Sequence, residues 1–182
     1  MDLATWAREL AREHLAAPLP RRWAHVQGVT AQAQRLAPLF GAEADVLTAA
    51  AALHDIGYAP ALAETGFHPL DGARFLRAAG APERLVHLVA HHSAAQIDAQ
   101  LWGLATEFAE FEDERSPLRD ALWWADMTVG PDGRVMTFPE RMAEVRQRYG
   151  PDDPVTLALD LSMEARSAAV ERTEARMRTG QL

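Results

Sequence analysis

The 182-residue chain contains no cysteine. Disulfides and thiolate metal sites are therefore excluded, and any metal must be held by His, Asp and Glu. There is also no apolar run of the length needed to cross a membrane. The opening stretch, MDLATWARELAREH, is amphipathic and balanced in charge, without the basic n-region, apolar h-region and small-residue cleavage site of a secretory signal. A cytoplasmic location is the expectation. Positive charge is in deficit: 18 Lys plus Arg against 26 Asp plus Glu leave a formal net charge of −8. A general binder of nucleic-acid backbone is expected to be basic, so this balance argues against one. A small anionic substrate is not excluded, because bound cations and a few arginines can dominate the field of one cleft. Sustained period-2 alternation, internal repeats and low-complexity segments are missing too.

What the chain has is helical periodicity. Hydrophobic residues make up 48%, and the length is enough for one domain with a substantial core. Leu3, Trp6, Ala7, Leu10 and His14 keep the rhythm of one amphipathic face. Pro20 opens a second helix carrying Trp23, Val26, Thr30 and Leu36, with His25 early in it. The Ala-rich run from about Ala42 to Asp55 reads as a buried helix, stopped at Gly57 as a C′ residue. Pro69 starts the next, with His68 at its mouth, and another carries Leu85, Leu88 and Val89 up to His91-His92. Ile97 to Leu104 is apolar but short, and Thr106 to Arg115 is acidic and expected to be exposed. Pro117 opens a helix ending near Asp126, and Gly130-Pro131-Asp132-Gly133 is a turn. Arg134 to Phe138 suits a short extended piece, Pro139 to Tyr149 a helix, and residues from about 155 to 177 a last long helix. The expectation is an all-α bundle of about seven to nine helices, one domain spanning residues 1–182.

Several of these elements bring a ligand-type side chain to a helix end or an inner face: His25, His54-Asp55, His68, His91-His92 and Asp126. A His and an Asp at the inner end of a buried helix are costly unless satisfied, and a divalent metal satisfies both. Adjacent helical side chains diverge by about 100°, so His54 and Asp55 flank a metal, or straddle two, better than they chelate one side by side. Asp126 follows the apolar Leu122-Trp123-Trp124-Ala125, where a carboxylate needs a cation or several donors. Taken singly, each has a duller reading as a hydrogen-bonded core histidine or a helix cap.

Together, His25, then His54-Asp55, then Asp126 resemble the H…HD…D signature of the HD-domain superfamily, most of whose members are metal-dependent phosphohydrolases on an all-α fold. The resemblance covers about residues 20 to 150 and implies an HD-type helical bundle. His68-Pro69, Gly72 and His91-His92 resemble the HPxxG…HH arrangement of the HD-GYP branch, in which extra histidines bind a second metal. Two positions depart from that branch. Tyr58 stands where a Lys often follows HDIG, and Ser93-Ala94-Ala95 replaces Gly-Tyr-Pro, which counts against cyclic di-GMP as substrate. Carried over, the resemblance implies two divalent transition metals (Fe, Mn, Co, Ni or Zn) on His25, His54, Asp55, His68, His91, His92 and Asp126, with Asp55 bridging. Bare spacing instead favours His87 with His91, four apart on one helix face, in place of one of the His91-His92 pair.

The implied reaction is hydrolysis of a phosphate ester, of a nucleotide or similar small molecule, by a metal-activated hydroxide, with His54 and Asp55 at the catalytic centre. Arg22 and Arg74 are the candidate substrate-binding cations, alongside Arg21, and Tyr58 is a candidate lid. Asp71 and Glu64 are candidates to support His68 or to donate a proton. Two alternatives stay open: a di-iron oxygenase of the same superfamily, and a non-catalytic nucleotide- or partner-binding module. The expected partner is a small phosphorylated molecule; a homo-oligomer remains open.

Overall fold

The computed structural model describes residues 2–180. Among them, ten α-helices run in order: α1 (Leu3–Leu15), α2 (Pro20–Leu36), α3 (Ala44–Leu53), α4 (His68–Ala78), α5 (Glu83–Ala90), α6 (Ala95–Leu101), α7 (Ala105–Phe108), α8 (Pro117–Met127), α9 (Phe138–Tyr149) and α10 (Pro154–Thr179). The all-α expectation holds. The count exceeds the expected seven to nine because the segment between α5 and α8 folds into two short helices. Among the described residues the only β pairing is an isolated antiparallel bridge from Val129 to Val135, where the sequence suggested a short extended piece. No helix is long and apolar enough to cross a membrane among these residues.

Local chemistry accounts for most helix starts. Proline occupies the first turn of α2, α4, α8, α9 and α10, where its missing N–H costs nothing. Asp2, Ser116, Thr137 and Asp153 cap α1, α8, α9 and α10 with side-chain oxygens, and Glu140 completes a capping box with Thr137. The central element is α3. Leu47 to Leu53 are buried without interruption, so it is apolar all round and packs against α1, α2, α5 and α8. Every burial-competent face is taken, and the chain leaves this helix in the core.

That exit differs from the expected one. The helix begins at Ala44, after a 3₁₀ turn, and ends at Leu53; His54 and Asp55 follow, then a 3₁₀ turn over Ile56–Tyr58. Gly57 does not adopt the left-handed conformation of a C′ glycine. Its absent side chain serves close approach instead: a Cβ there would lie 2.1 Å from the His68 carbonyl oxygen and 2.6 Å from the Gly72 nitrogen. The turn after α3 thus sits directly on the first turn of α4. A second such contact joins α2 to the loop after α8, where a Cβ on Gly28 would lie 2.6 Å from the Gly133 oxygen.

Two further features set the C-terminal half. The acidic stretch after α6 is not simply an exposed loop: Phe108 and Phe111 are buried under its charges. The long α10 is tied to α8 by Arg172, which donates through Nε and Nη2 to the buried Asp120 at 2.7 and 3.0 Å, while Arg119 reaches the same carboxylate at 3.2 Å.

Gly57→Ala is expected to lower stability by about 3 kcal/mol or more, because the new methyl meets rigid backbone on two sides. Gly80→Ala, with open space around its Cβ and only a positive φ to strain, should cost about 1–2 kcal/mol. Urea unfolding of the two variants beside the parent chain measures the difference.

Candidate metal centre

Three elements bring the first group together. His25 projects from α2, His54 leaves the end of α3, and Asp126 lies near the end of α8. One ligand-type atom from each falls within 4.8 Å of the others. His25 Nε2 lies 3.0 Å from Asp126 Oδ1, and His54 Nε2 lies 3.7 Å from the same oxygen. The second group consists of Asp55, His68 at the start of α4, and His92 just beyond α5, again within 4.8 Å. The Gly57 contact places it, since the turn carrying Asp55 rests on the backbone of His68.

Asp55 belongs to both groups. Its Oδ2 faces the first, 3.4 Å from His54 Nε2 and 3.8 Å from His25 Nε2. Its Oδ1 faces the second, 3.4 Å from His68 Nε2 and 3.7 Å from His92 Nε2. The carboxylate stands between two sets of imidazoles with one oxygen toward each.

The histidines are held in a way that suits metal ligation. His25 Nδ1 lies 3.0 Å from the Gly130 carbonyl, His54 Nδ1 2.8 Å from that of Ala51, and His92 Nδ1 2.6 Å from that of Val89. A carbonyl only accepts, so each Nδ1 carries the proton, and the network assigns Nε2 as the inward atom. Anchoring one ring nitrogen on a backbone carbonyl while the other faces an ion is the usual support of a metal-bound histidine. His54 Nε2 is fully buried and makes no hydrogen bond, and His68 Nε2 faces His92 Nε2 at 3.1 Å. A buried ring nitrogen left without a partner, as His54 Nε2 is, is costly, and a bound cation would answer that cost. The donor set is all nitrogen and oxygen, which suits divalent first-row transition metals.

The electrostatics agree. Burial pushes the carboxyl pKa of Asp55 up, but Arg22, 2.7 Å from Oδ2, and His54 pull it well below the ordinary value. Burial opposes ionisation of Asp126 as well, and His25 and His54 overcome it. Burial lowers the pKa of His54, yet Asp55 and Asp126 outweigh it and raise the value to about 9. Burial keeps His68 and His92 neutral, with pKa values below the ordinary one.

Both groups open onto a cleft of about 360 Å³, a volume in the range of small-molecule sites. Tyr58 lies at its edge, stacked on His68 with ring centroids 3.8 Å apart, and the Arg22 guanidinium sits 4.0 Å from the Tyr58 ring centre. The far side is built by α9 and α10, with Arg141, Arg148 and Arg166 among its lining.

Not every residue singled out from sequence reaches this place. His91 does not. The backbone turns at the end of α5, and Ser93 and Ala94 both take left-handed conformations, with φ of 51° and 62°. His92 faces inward while His91, at the end of α5, points to the opposite side, its Nε2 2.9 Å from the Phe111 carbonyl and its ring against Phe108. His87 is not a replacement; its Nε2 lies 3.3 Å from Glu83 Oε2 at the surface. Arg74 is also corrected: its Nε donates to Glu110 at 3.0 Å in an exposed ion pair. Asp71 is buried, but its carboxylate accepts from the backbone of Glu64, Thr65 and Gly66, so it clamps the loop ahead of His68.

Ser93 and Gly130 were missed in the sequence. The Ser93 hydroxyl donates to Asp126 Oδ2, leaving Oδ1 for the histidines, and the Gly130 carbonyl fixes His25. Neither carries a local pattern that marks it.

A family model described as HD domain matches residues 22–126. No curated protein and no solved structure matches the chain. The matched span contains all six residues of the two groups.

A proton on His54 has a measurable consequence. Metal ligation needs the neutral imidazole, so an ion bound at the first group must displace that proton. Near pH 7.5, binding should release about one proton per chain, and affinity should rise with pH until about 9. Calorimetry of Mn²⁺ or Co²⁺ binding in buffers of different ionisation enthalpy measures the release, which His54→Ala should abolish. The same shift makes a signed statement about the metal-stripped protein. The folded pKa lies above the ordinary 6.5, so the stabilisation is complete below about pH 6.5 and lost as pH rises through 9.

Proposed function

The chain belongs to the HD-domain family, and from that premise we propose that it is a metal-dependent phosphohydrolase cleaving a phosphate ester of a small molecule. The observation that carries the reading is Asp55, whose two oxygens face two different histidine groups. A dinuclear arrangement uses such a bridge. His25, His54 and Asp126 would hold one ion, His68 and His92 the other, and Asp55 both. Such a pair of ions supplies Lewis-acid charge for a phosphoryl group and acidifies a water to near-neutral pKa.

The protein's own groups complete the chemistry. Nδ1 anchors on three backbone carbonyls hold the imidazoles in place, so little reorganises when substrate arrives. Ser93 orients Asp126. Arg22 stands at the cleft beside Asp55, where its guanidinium can meet phosphoryl oxygens bidentately. It provides a cation in the neighbourhood where Tyr58 replaces the Lys of the HD-GYP pattern. The acidic surface does not oppose this, because the local field of ions and arginines governs the cleft.

Tyr58 favours one second reading. Stacked on His68 at the cleft edge, it is placed to cover a position beside the second group, as a lid over an oxygen-activating di-iron centre would be. The two readings part on their need for dioxygen.

Under the hydrolase reading, protein loaded with Mn²⁺ or Co²⁺ should release phosphate or a nucleoside monophosphate under strict anaerobiosis. Turnover that requires both iron and dioxygen, with no ester cleaved in a broad screen, would sink it. The metal count should be about two per chain by elemental analysis. His68→Ala combined with His92→Ala should bring it to about one. Asp55→Asn should disturb both ions and cost more activity than either single His substitution, by at least about a hundredfold.

A further inference from the structure

The metal-facing residues all precede residue 127, within the family span, whereas much of the cleft opposite them comes from beyond it. On α10, Arg166 lines the cleft half-buried, with Nε donating to Ser162 Oγ at 2.6 Å. Among the described residues no carboxylate oxygen lies within 4.0 Å of its guanidinium. Arg22, Arg141 and Arg148, by contrast, all have acidic partners. The carboxylate of Asp98 in α6 also lines the cleft and feels the charge of Arg166, but it makes no ion pair or hydrogen bond with it. Burial pulls the Arg166 pKa below the ordinary arginine value. At the wall of the cleft, this guanidinium keeps donor capacity beyond its bond to Ser162. Beside it, Met142, Val145 and Leu159 form a buried apolar surface, and the ring of Trp102 lies at the rim.

We propose that α9 and α10 form the substrate-recognition wall of this cleft, with Arg166 gripping an anionic oxygen of the substrate and the Met142–Val145–Leu159 surface packing an apolar or aromatic organic portion. The inference rests on the phosphohydrolase reading and narrows its substrate class to organic phosphates with a flat or apolar group, in preference to sugar phosphates. The polar hydroxyls of a sugar would be buried against that surface without partners. An aromatic group instead removes its own apolar area from water and leaves no polar group unpaired.

The probes are inorganic phosphate and phenylphosphonate, neither of which carries an ester to hydrolyse, titrated calorimetrically into the Mn²⁺-loaded full chain. Phenylphosphonate is expected to bind at least about tenfold tighter than phosphate, in line with burial of a ring. Arg166→Gln should weaken both ligands by about 10- to 100-fold, the loss of a charge-assisted contact, with metal content and melting temperature unchanged. Arg166→Lys, which keeps the charge but not the planar fork, should fall in between and serves as the test if the Gln variant folds poorly. Equal binding of phosphate by parent and both variants would overturn the role of Arg166. Phenylphosphonate binding no tighter than phosphate would overturn the apolar half. Failure of the hydrolase reading shows elsewhere, as an absence of ester cleavage by the parent chain. Failure of this inference shows only in these binding comparisons, and a parent chain that binds neither probe overturns it outright.

Discussion

Two carboxylates close together, one buried and one only partly exposed, are the constraint around which this molecule is arranged. Asp55 and Asp126 both approach His54; Asp55 is buried and Asp126 keeps only a small exposure to the cleft. Taking one such ion out of water costs on the order of several kcal/mol, and a second nearby adds repulsion. The pKa of each carboxylate is nonetheless lowered by positive groups beside it: the Arg22 guanidinium and His54 at Asp55, and His25 and His54 at Asp126. A site that must gather this much positive charge by itself is matched to divalent cations, which concentrate more charge in less space.

Holding those groups in register falls to backbone more than to side chains. Gly57 lies on His68 and Gly72, and Gly28 lies on Gly133, at distances where no Cβ fits. The first contact welds the turn carrying Asp55 to the helix start carrying His68. The second fixes α2, with His25, against the loop whose Gly130 carbonyl receives the His25 proton. His25 is therefore positioned by the same contact that positions its supporting carbonyl.

Much of this was legible in the sequence. Periodicity and proline placement revealed the helices, since both act locally. The order of His25, His54-Asp55 and Asp126 pointed to the centre, because imidazoles and carboxylates at helix ends in an apolar context need a cation or donors to be satisfied. Reading failed where the outcome hung on a single torsion or on a distant neighbour. Whether His91 or His92 faces inward depends on where α5 ends, and it ends at His91, whose torsions leave the helix without a glycine to mark the place. Arg74 is drawn outward by Glu110, 36 positions away. Gly57 was expected to end a helix through its own conformational freedom, whereas the reason for it lies across the fold, in α4. The cleft wall on α9 and α10 carries no motif, because an anion-binding guanidinium and an apolar patch look, in one dimension, like any surface arginine and any core.

The ion pairing of Arg172 with Asp120 has a consequence beyond joining two helices. At about 100° per residue, Arg166 and Arg172 stand about 120° apart around α10, so one helix presents one arginine to the cleft and another to α8. Hydrophobicity divides α10 only weakly: its buried stripe includes the polar Thr156, Ser162 and Thr173, while Leu157 and Leu161 are exposed. The two-pronged grip on Asp120 adds a polar lock to that angular phase, as a key holds a shaft. A slip of one residue would swing Arg166 by about 100° and out of the cleft, leaving the metal-facing residues untouched.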